Sequence, residues 1–254
     1  MEGFSAEAGA PLVISEAFSL ARVFFIAEAE EAEAELSAEG CEPVSLPLHN
    51  DTDTYNTRMR VAHLIAPAGE APGLTVSCTA GRRILVYRVE LYTGDYALVN
   101  CGIGSCPVGK FIDEYFPRYV EPLSPYAILF EGCTINDWLQ TSSDLKYAAH
   151  LRRMLSAQRD LTSRVLWHTV TPIGGTQISG QGTVYNDYVN TMRSVAAEAG
   201  VPLVDCNAEM ERILSAMPEE ARAPYFYHDP WHPNGEGHRL YAEEIAHGLM
   251  SLVD

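Results

Sequence analysis

Positive charge is what this sequence has least of. Seventeen Lys and Arg stand against 34 Asp and Glu in 254 residues, a formal net charge of -17. Such a surface repels phosphate backbones and anionic lipid headgroups, which excludes nucleic acid and membrane surfaces as partners. Long apolar runs are also missing, since none reaches the roughly 20 residues needed to span a bilayer. The stretch Met1-Glu2-Gly3-Phe4-Ser5-Ala6-Glu7 has no basic segment followed by an apolar one, so no secretory signal is expected. Closely spaced cysteines are lacking too. Cys41, Cys78, Cys101, Cys106, Cys133 and Cys206 form no C-x-x-C pair and are expected as buried thiols in a reducing, cytoplasmic setting. What the chain does have is apolar material, 47% of its residues, enough for one large domain or one with an appendage.

Read in order, residues 1–60 form an accessory segment of uncertain form. Leu20 to Ile26 fits a strand or the start of a helix. Residues 27–39 are rich in Ala and Glu, good helix formers, and Gly40 is a plausible stop, so a solvated acidic helix is expected there. The polar stretch His49 to Thr54 marks the break, and residues 61–254 form the main domain. There the pattern is strand, loop, helix. Val61–Ile65, Leu74–Val76, Tyr96–Val99, Tyr126–Phe130, Arg164–Val170 and Val201–Asp205 are strand candidates. Arg82–Tyr92, Lys146–Ala157, Tyr185–Ala199 and Arg239–Leu249 are helix candidates. Such alternation implies βαβ units and a mostly parallel sheet covered by helices on both faces, with functional residues on loops at the carboxyl ends of strands.

Four loops carry groups that could do chemistry. The last is Asp229-Pro230-Trp231-His232-Pro233, with a carboxylate and an imidazole three residues apart. Pro230 and Pro233 keep it out of a helix interior, so the pair suits a general base with its own orienting carboxylate. The same residues also read as a capped turn, and His228, Asp229, His232 and His238 as a metal cluster, although no common metal spacing accompanies them. Ser77 follows the strand Leu74–Val76 and could be a nucleophile. Asn100-Cys101-Gly102-Ile103-Gly104-Ser105 is a Gly-rich turn that can present backbone N–H groups to an anion. Asn136, in Glu131 to Trp138, can donate its amide to a developing oxyanion. Each of these is also an ordinary turn residue.

Together and in this order the four loops resemble the blocks of the SGNH hydrolases, or GDSL-type serine esterases. Asp229-x-x-His232 followed by Pro-Asn-Gly-Glu-Gly-His is similar to the terminal block, Asn136-Asp137 to the third, Asn100 to Gly104 to the second. Ser77, Thr79 and Gly81 align with the nucleophile block, but Thr75 and Val76 replace the Gly and Asp before it. Ser105 stands where the second block's Gly donor aligns, and Thr134 where the third block has Gly. The resemblance covers about residues 70–254. It implies an α/β, three-layer α/β/α sandwich with a mostly parallel, flavodoxin-like sheet. It also implies Ser77 as nucleophile, His232 as base, Asp229 as its orienter, and Gly104, Ser105 and Asn136 as the oxyanion hole. No cofactor and no metal are required. Should Ser77 prove dispensable, Ser105 is the next hydroxyl to consider. The expected substrate is a small carboxylic ester, O-acetyl groups on carbohydrates included, with Trp138 and Trp231 as candidate pocket walls favouring short acyl chains. A non-catalytic small-molecule or carbohydrate binding module on the same fold, favoured by Thr75-Val76, and a metal-dependent hydrolase using the terminal histidines are the alternatives.

Overall fold

The computed structural model describes the chain except residues 1–3, 8, 28–30, 50–58, 68, 82, 95–97, 133, 142, 174–178, 180–181, 219, 223–230 and 254. It divides into two compact units, one of residues 1–101 with 118–123, the other of residues 102–117 with 124–254. The break therefore falls after Cys101 rather than near residue 60, because the strands between those points pair with the N-terminal ones.

The first unit is a β-sandwich. Strands β1 (Phe4–Glu7), β3 (Leu20–Ala27), β6 (Met59–Ile65) and β8 (Arg83–Tyr92) form one sheet, in the order β1-β8-β3-β6. Strands β2 (Leu12–Ile14), β4 (Glu31–Ser37), β5 (Val44–His49) and β7 (Leu74–Ala80) form the other, in the order β2-β7-β4-β5. Every pairing in both is antiparallel. Ala21, Val23, Phe25, Leu64, Ile84 and Val86 from one sheet share a core with Ala34, Leu36, Leu48, Leu74 and Val76 from the other.

Two expected helices are strands here, for one physical reason. In Glu31-Ala32-Glu33-Ala34-Glu35-Leu36 the apolar residues recur every second position. Ala32, Ala34 and Leu36 are buried while Glu33 and Glu35 are partly exposed. A period of two puts them on one face of a strand but all around a helix, so pattern overrides the helix propensity of Ala and Glu. Residues 83–92 behave likewise, except that the register shifts between Phe24 and Phe25. The bulge changes the inward phase of β8 from Ile84 and Val86 to Val89 and Leu91.

The second unit holds the only parallel pairing among the described residues. Strands β9 (Ile128–Phe130), β10 (Val165–His168) and β11 (Leu203–Val204) lie in the order β11-β10-β9. Taken over the chain, the sheets are mostly antiparallel, so the expected mostly parallel, flavodoxin-like sheet is corrected to a mixed α/β fold whose parallel part has three strands. The candidate strand at 96–99 falls partly outside the described residues, and Leu98 and Val99 lie in no strand.

Helices follow the parallel strands. A helical run leads from α1 (Val108–Lys110) through a π-helical turn (Phe111–Tyr115) to α2 (Phe116–Tyr119). Then come α3 (Thr134–Gln140), α4 (Asp144–Leu161), α5 (Tyr185–Ala199), α6 (Cys206–Ser215) and α7 (Gly235–Val253). Ser143 caps α4 by accepting from the Lys146 N–H, and Gly200 ends α5 in the left-handed conformation (φ 64°) that it adopts without steric cost. No helix among the described residues is long and apolar enough to cross a membrane.

Candidate active site

His232 lies just ahead of the last helix. The Asn234 side chain accepts from the Glu236 and Gly237 N–H groups at 3.0 and 3.1 Å, capping α7 two residues after the imidazole. The helix is fixed to the sheet below it by Tyr241, whose hydroxyl lies 2.8 Å from His168 Nδ1 in β10. His232 is exposed and lies two residues before the Asn234 cap of α7. Its expected partner Asp229 lies outside the described residues, as does His228.

Helix α3 is the hub of this unit. Gly132, just before it, has φ 86°, and a Cβ there would lie 2.6 Å from Met192 Sδ. Only glycine satisfies both conditions, and its carbonyl accepts from the Tyr147 hydroxyl at 2.8 Å, which in turn lies 3.0 Å from the Thr134 hydroxyl. Asn136 is half-buried in the first turns of α3. Asp137 is fully buried and accepts from the Val108 N–H at 2.7 Å and the Thr141 hydroxyl at 2.9 Å. Trp138 is 2% exposed; its indole N–H donates to the Thr183 carbonyl at 2.8 Å. Its ring meets those of Tyr185 and Trp231 edge to face, at 5.5 and 6.4 Å. Of the two candidate pocket walls, Trp138 is therefore core, and Trp231, beside His232, covers it.

The same helix holds the Gly-rich turn. Gln140 donates to the Ser105 carbonyl at 3.0 Å. Ser105 has φ 58°, one of two non-glycine residues among those described in the left-handed region, a conformation that costs roughly 1–2 kcal/mol in an L-residue. It is exposed, and it precedes α1 by a few residues. A strained, exposed hydroxyl in a sharp turn leading into a helix is the setting in which serine nucleophiles are found. The neighbouring Cys106 is a poorer candidate. Its thiol is buried and pushed up to about 11 by that burial, so little thiolate exists near neutrality.

Ser77 has a different setting from the one expected. It is in the middle of β7, opposite Glu35 of β4, and the next element in the chain is strand β8, not a helix. Thr75 and Ser77 point away from the core that Val76 and Cys78 enter. Of the expected site residues, Gly104, Ser105, Asn136 and His232 belong to the second compact unit and Ser77 to the first.

Among the described residues no group of three His, Cys, Asp or Glu could hold a metal ion. Cys41, Cys78, Cys101, Cys106 and Cys206 are free thiols.

Three buried titratable groups contribute to the response of the fold to acid. Burial pushes His63 and His168 down to about 4, with the Arg22 guanidinium adding to the effect at His63. Burial pushes Asp137 up to about 6, against the opposing hydrogen bonds from Val108 and Thr141. Each lowered histidine contributes stability that is present above its unfolded pKa of about 6.5 and is lost as pH falls toward 4, by roughly 3 kcal/mol. Asp137 has the opposite sign: its folded state gains protons first, so it adds stability as pH falls through 6, by a similar amount. The two histidines therefore lower the urea unfolding free energy as pH falls from about 7 to 4, with Asp137 opposing them. His168→Gln should remove about half of the destabilising part, and an unchanged slope in that variant would contradict the assignment.

Gln140 and Tyr241 were not identified from sequence. Gln140 follows Asn136 by one helical turn, which was the available signal; the long-range contact of Tyr241 with His168 left none.

The sequence matches the profile of the GDSL-like Lipase/Acylhydrolase family over residues 70–240. No curated protein gives a significant match. The protein YXIM of Bacillus subtilis superposes over 98% of this chain and 81% of its own, with TM-score 0.52 and 14% identity, and so shares the fold of both units. The acetylxylan esterase Axe2 of Geobacillus stearothermophilus aligns over 58% of this chain and 69% of its own, with TM-score 0.47 and 19% identity. The acetyl xylan esterase AlAXEase aligns over 58% and 78%, with TM-score 0.48 and 21% identity.

Proposed function

Because the chain belongs to the GDSL-like lipase/acylhydrolase family, we propose that it is a serine esterase of small carboxylic esters whose chemistry resides in the second unit. The observation that carries this reading is the double role of α3. Through Gln140 it holds the strained turn at Ser105, and through Trp138 it supports Trp231 beside His232.

In this reading the Ser105 hydroxyl attacks the ester carbonyl. His232 takes the proton and returns it to the departing alkoxide, while Asp229 orients the imidazole and stabilises the imidazolium. Backbone N–H groups at Gly104 and Ser105 and the Asn136 amide receive the oxyanion, each such donor being worth about 10²–10³ in rate. Water then attacks the acyl-enzyme by the same route. The partly exposed Trp231, at 37%, offers an aromatic face to a sugar or a short acyl group, which favours acetyl esters of carbohydrates over long-chain lipids.

Ser77 is the second reading, favoured by the family match, which begins at residue 70 and so includes it. Turnover of p-nitrophenyl acetate separates the two. Ser105→Ala should abolish it and Ser77→Ala should leave it within about two-fold, against losses on the order of 10³ for a lost nucleophile. The reverse result would move the nucleophile to Ser77. Faster cleavage of palmitoyl than acetyl esters would overturn the substrate class.

A further inference from the structure

The last helix, α7, is seated on one face of the parallel sheet at two points. Leu166 and His168 are two residues apart in β10, so they face the same side of the strand. Val204 of β11 is the direct neighbour of His168. Tyr241 meets this face at the carboxyl end of β10. Its hydroxyl lies 2.8 Å from His168 Nδ1 and 3.3 Å from the Thr169 carbonyl, and its ring meets the imidazole edge to face at 5.2 Å. His168 is buried, and burial keeps the imidazole uncharged near neutrality. Gly248 follows Tyr241 by two helical turns and so lies on the same side of α7. A Cβ at Gly248 would collide with Val204 Cγ2 and come within 3.1 Å of Leu166 Cδ2, so the absence of a side chain lets the helix lie this close to the sheet. The contacts pass from residues 168 and 169 back to residue 166 as the helix proceeds. Its start therefore extends beyond the carboxyl end of β10, and His232 stands just ahead of that start.

The two points differ in kind. The seat at Gly248 is apolar, and apolar contact has no preferred direction. The hydroxyl of Tyr241 is held by directional hydrogen bonds, which fix both the tilt and the rotation of the helix. Gly235, the first residue of α7, precedes Gly248 by about 20 Å along the axis at 1.5 Å per residue. Without the hydroxyl anchor the helix can rock about Gly248, and a tilt of about 3° then moves its start by about 1 Å. An error of that size in a catalytic group can cost on the order of 10² in rate. We infer that Tyr241 is a positioning residue for esterase turnover: anchored on His168 and Thr169, it fixes through α7 the place of His232 relative to Ser105. This rests on the esterase reading given above, and all of these residues belong to the second unit. Tyr241 acts without touching substrate. The contact of Trp231 with Trp138 gives His232 a second support, so the loss expected on removing the hydroxyl is about ten-fold rather than 10².

The test is Tyr241→Phe, which keeps the ring against His168 and removes only the hydroxyl. Trp167→Phe is the control. Trp167 is fully buried on the opposite face of β10, where its indole N–H donates to Gln158 of α4 at 2.9 Å, so this change costs stability on the side of the sheet away from α7. Amide hydrogen exchange is read for peptides covering residues 231–240, and kcat and KM for p-nitrophenyl acetate, each per folded molecule. Tyr241→Phe should speed exchange in that segment about ten-fold and lower kcat about ten-fold, with KM within about two-fold. Trp167→Phe should match the parent in all three. Unchanged exchange at 231–240 in folded Tyr241→Phe overturns the inference, and so does faster exchange with an unchanged kcat. Equal changes in Trp167→Phe overturn it too, because they would trace the effect to general loss of stability. A parent without esterase turnover overturns the esterase reading and this inference together, whereas an active parent with an unaffected Tyr241→Phe overturns this inference alone.

Discussion

Replacing His232 with Ala is expected to lower kcat/KM for p-nitrophenyl acetate by at least about 10³-fold. The expectation follows from what surrounds the imidazole. It is exposed, two residues ahead of the Asn234 cap of α7, and next to Trp231, whose ring meets Trp138. None of those supports depends on the imidazole, and the unfolding midpoint of the Ala variant is read beside its turnover. Loss of activity with an intact fold identifies a chemical role. Loss of both would reduce His232 to a packing residue, and retention of activity would remove it from the mechanism. Asp229→Asn refines the result, since a turn-capping Asp tolerates Asn whereas an orienter of the imidazole does not.

The second large effect is expected at Trp138. Trp138→Ala removes a side chain that is 2% exposed and should destabilise the protein by about 3–5 kcal/mol. Part of that comes from the cavity, part from the Thr183 carbonyl left without the indole donor, and part from two edge-to-face ring contacts. Activity should fall further than the folded fraction explains, because Trp231 loses its backing beside His232. Trp138→Phe should restore much of the activity by restoring a ring for Trp231. Urea unfolding and turnover on the same preparations check both halves. A variant with parental turnover per folded molecule would show that the stacked rings do not position the base.

Much of the second unit was readable in the sequence. The helix Tyr185–Ala199, stopped by Gly200, has a clean helical period and a glycine cap, and both are local. The order of the turn at Asn100–Ser105, the Asn136-Asp137 pair and the terminal His232 was readable because each block is a short, contiguous motif. The sandwich was not, and the reasons are physical. Its strands use residues of high helix propensity, as in Glu31–Leu36, so composition and period disagree and the period prevails. In β8 the bulge opposite Phe24 and Phe25 breaks the alternation midway, leaving Ile84, Val86, Val89 and Leu91 on spacings that imitate a helix. The pairing of β3 with both β6 and β8 joins residues some forty to seventy apart, as Arg22, His63 and Glu90 show, and no local pattern encodes it. The same pattern bears on the setting of Ser77, which lies within β7 and is followed by strand β8 rather than by the expected helix.

The measurement that bears most directly on the account is covalent labelling with a fluorophosphonate, followed by mass-spectrometric mapping of the modified peptide. A serine activated by a neighbouring base reacts with such a reagent, whereas an ordinary surface hydroxyl does not. The account predicts one adduct per chain, on Ser105, lost in His232→Ala. An adduct on Ser77, or no adduct in a folded protein, would contradict it.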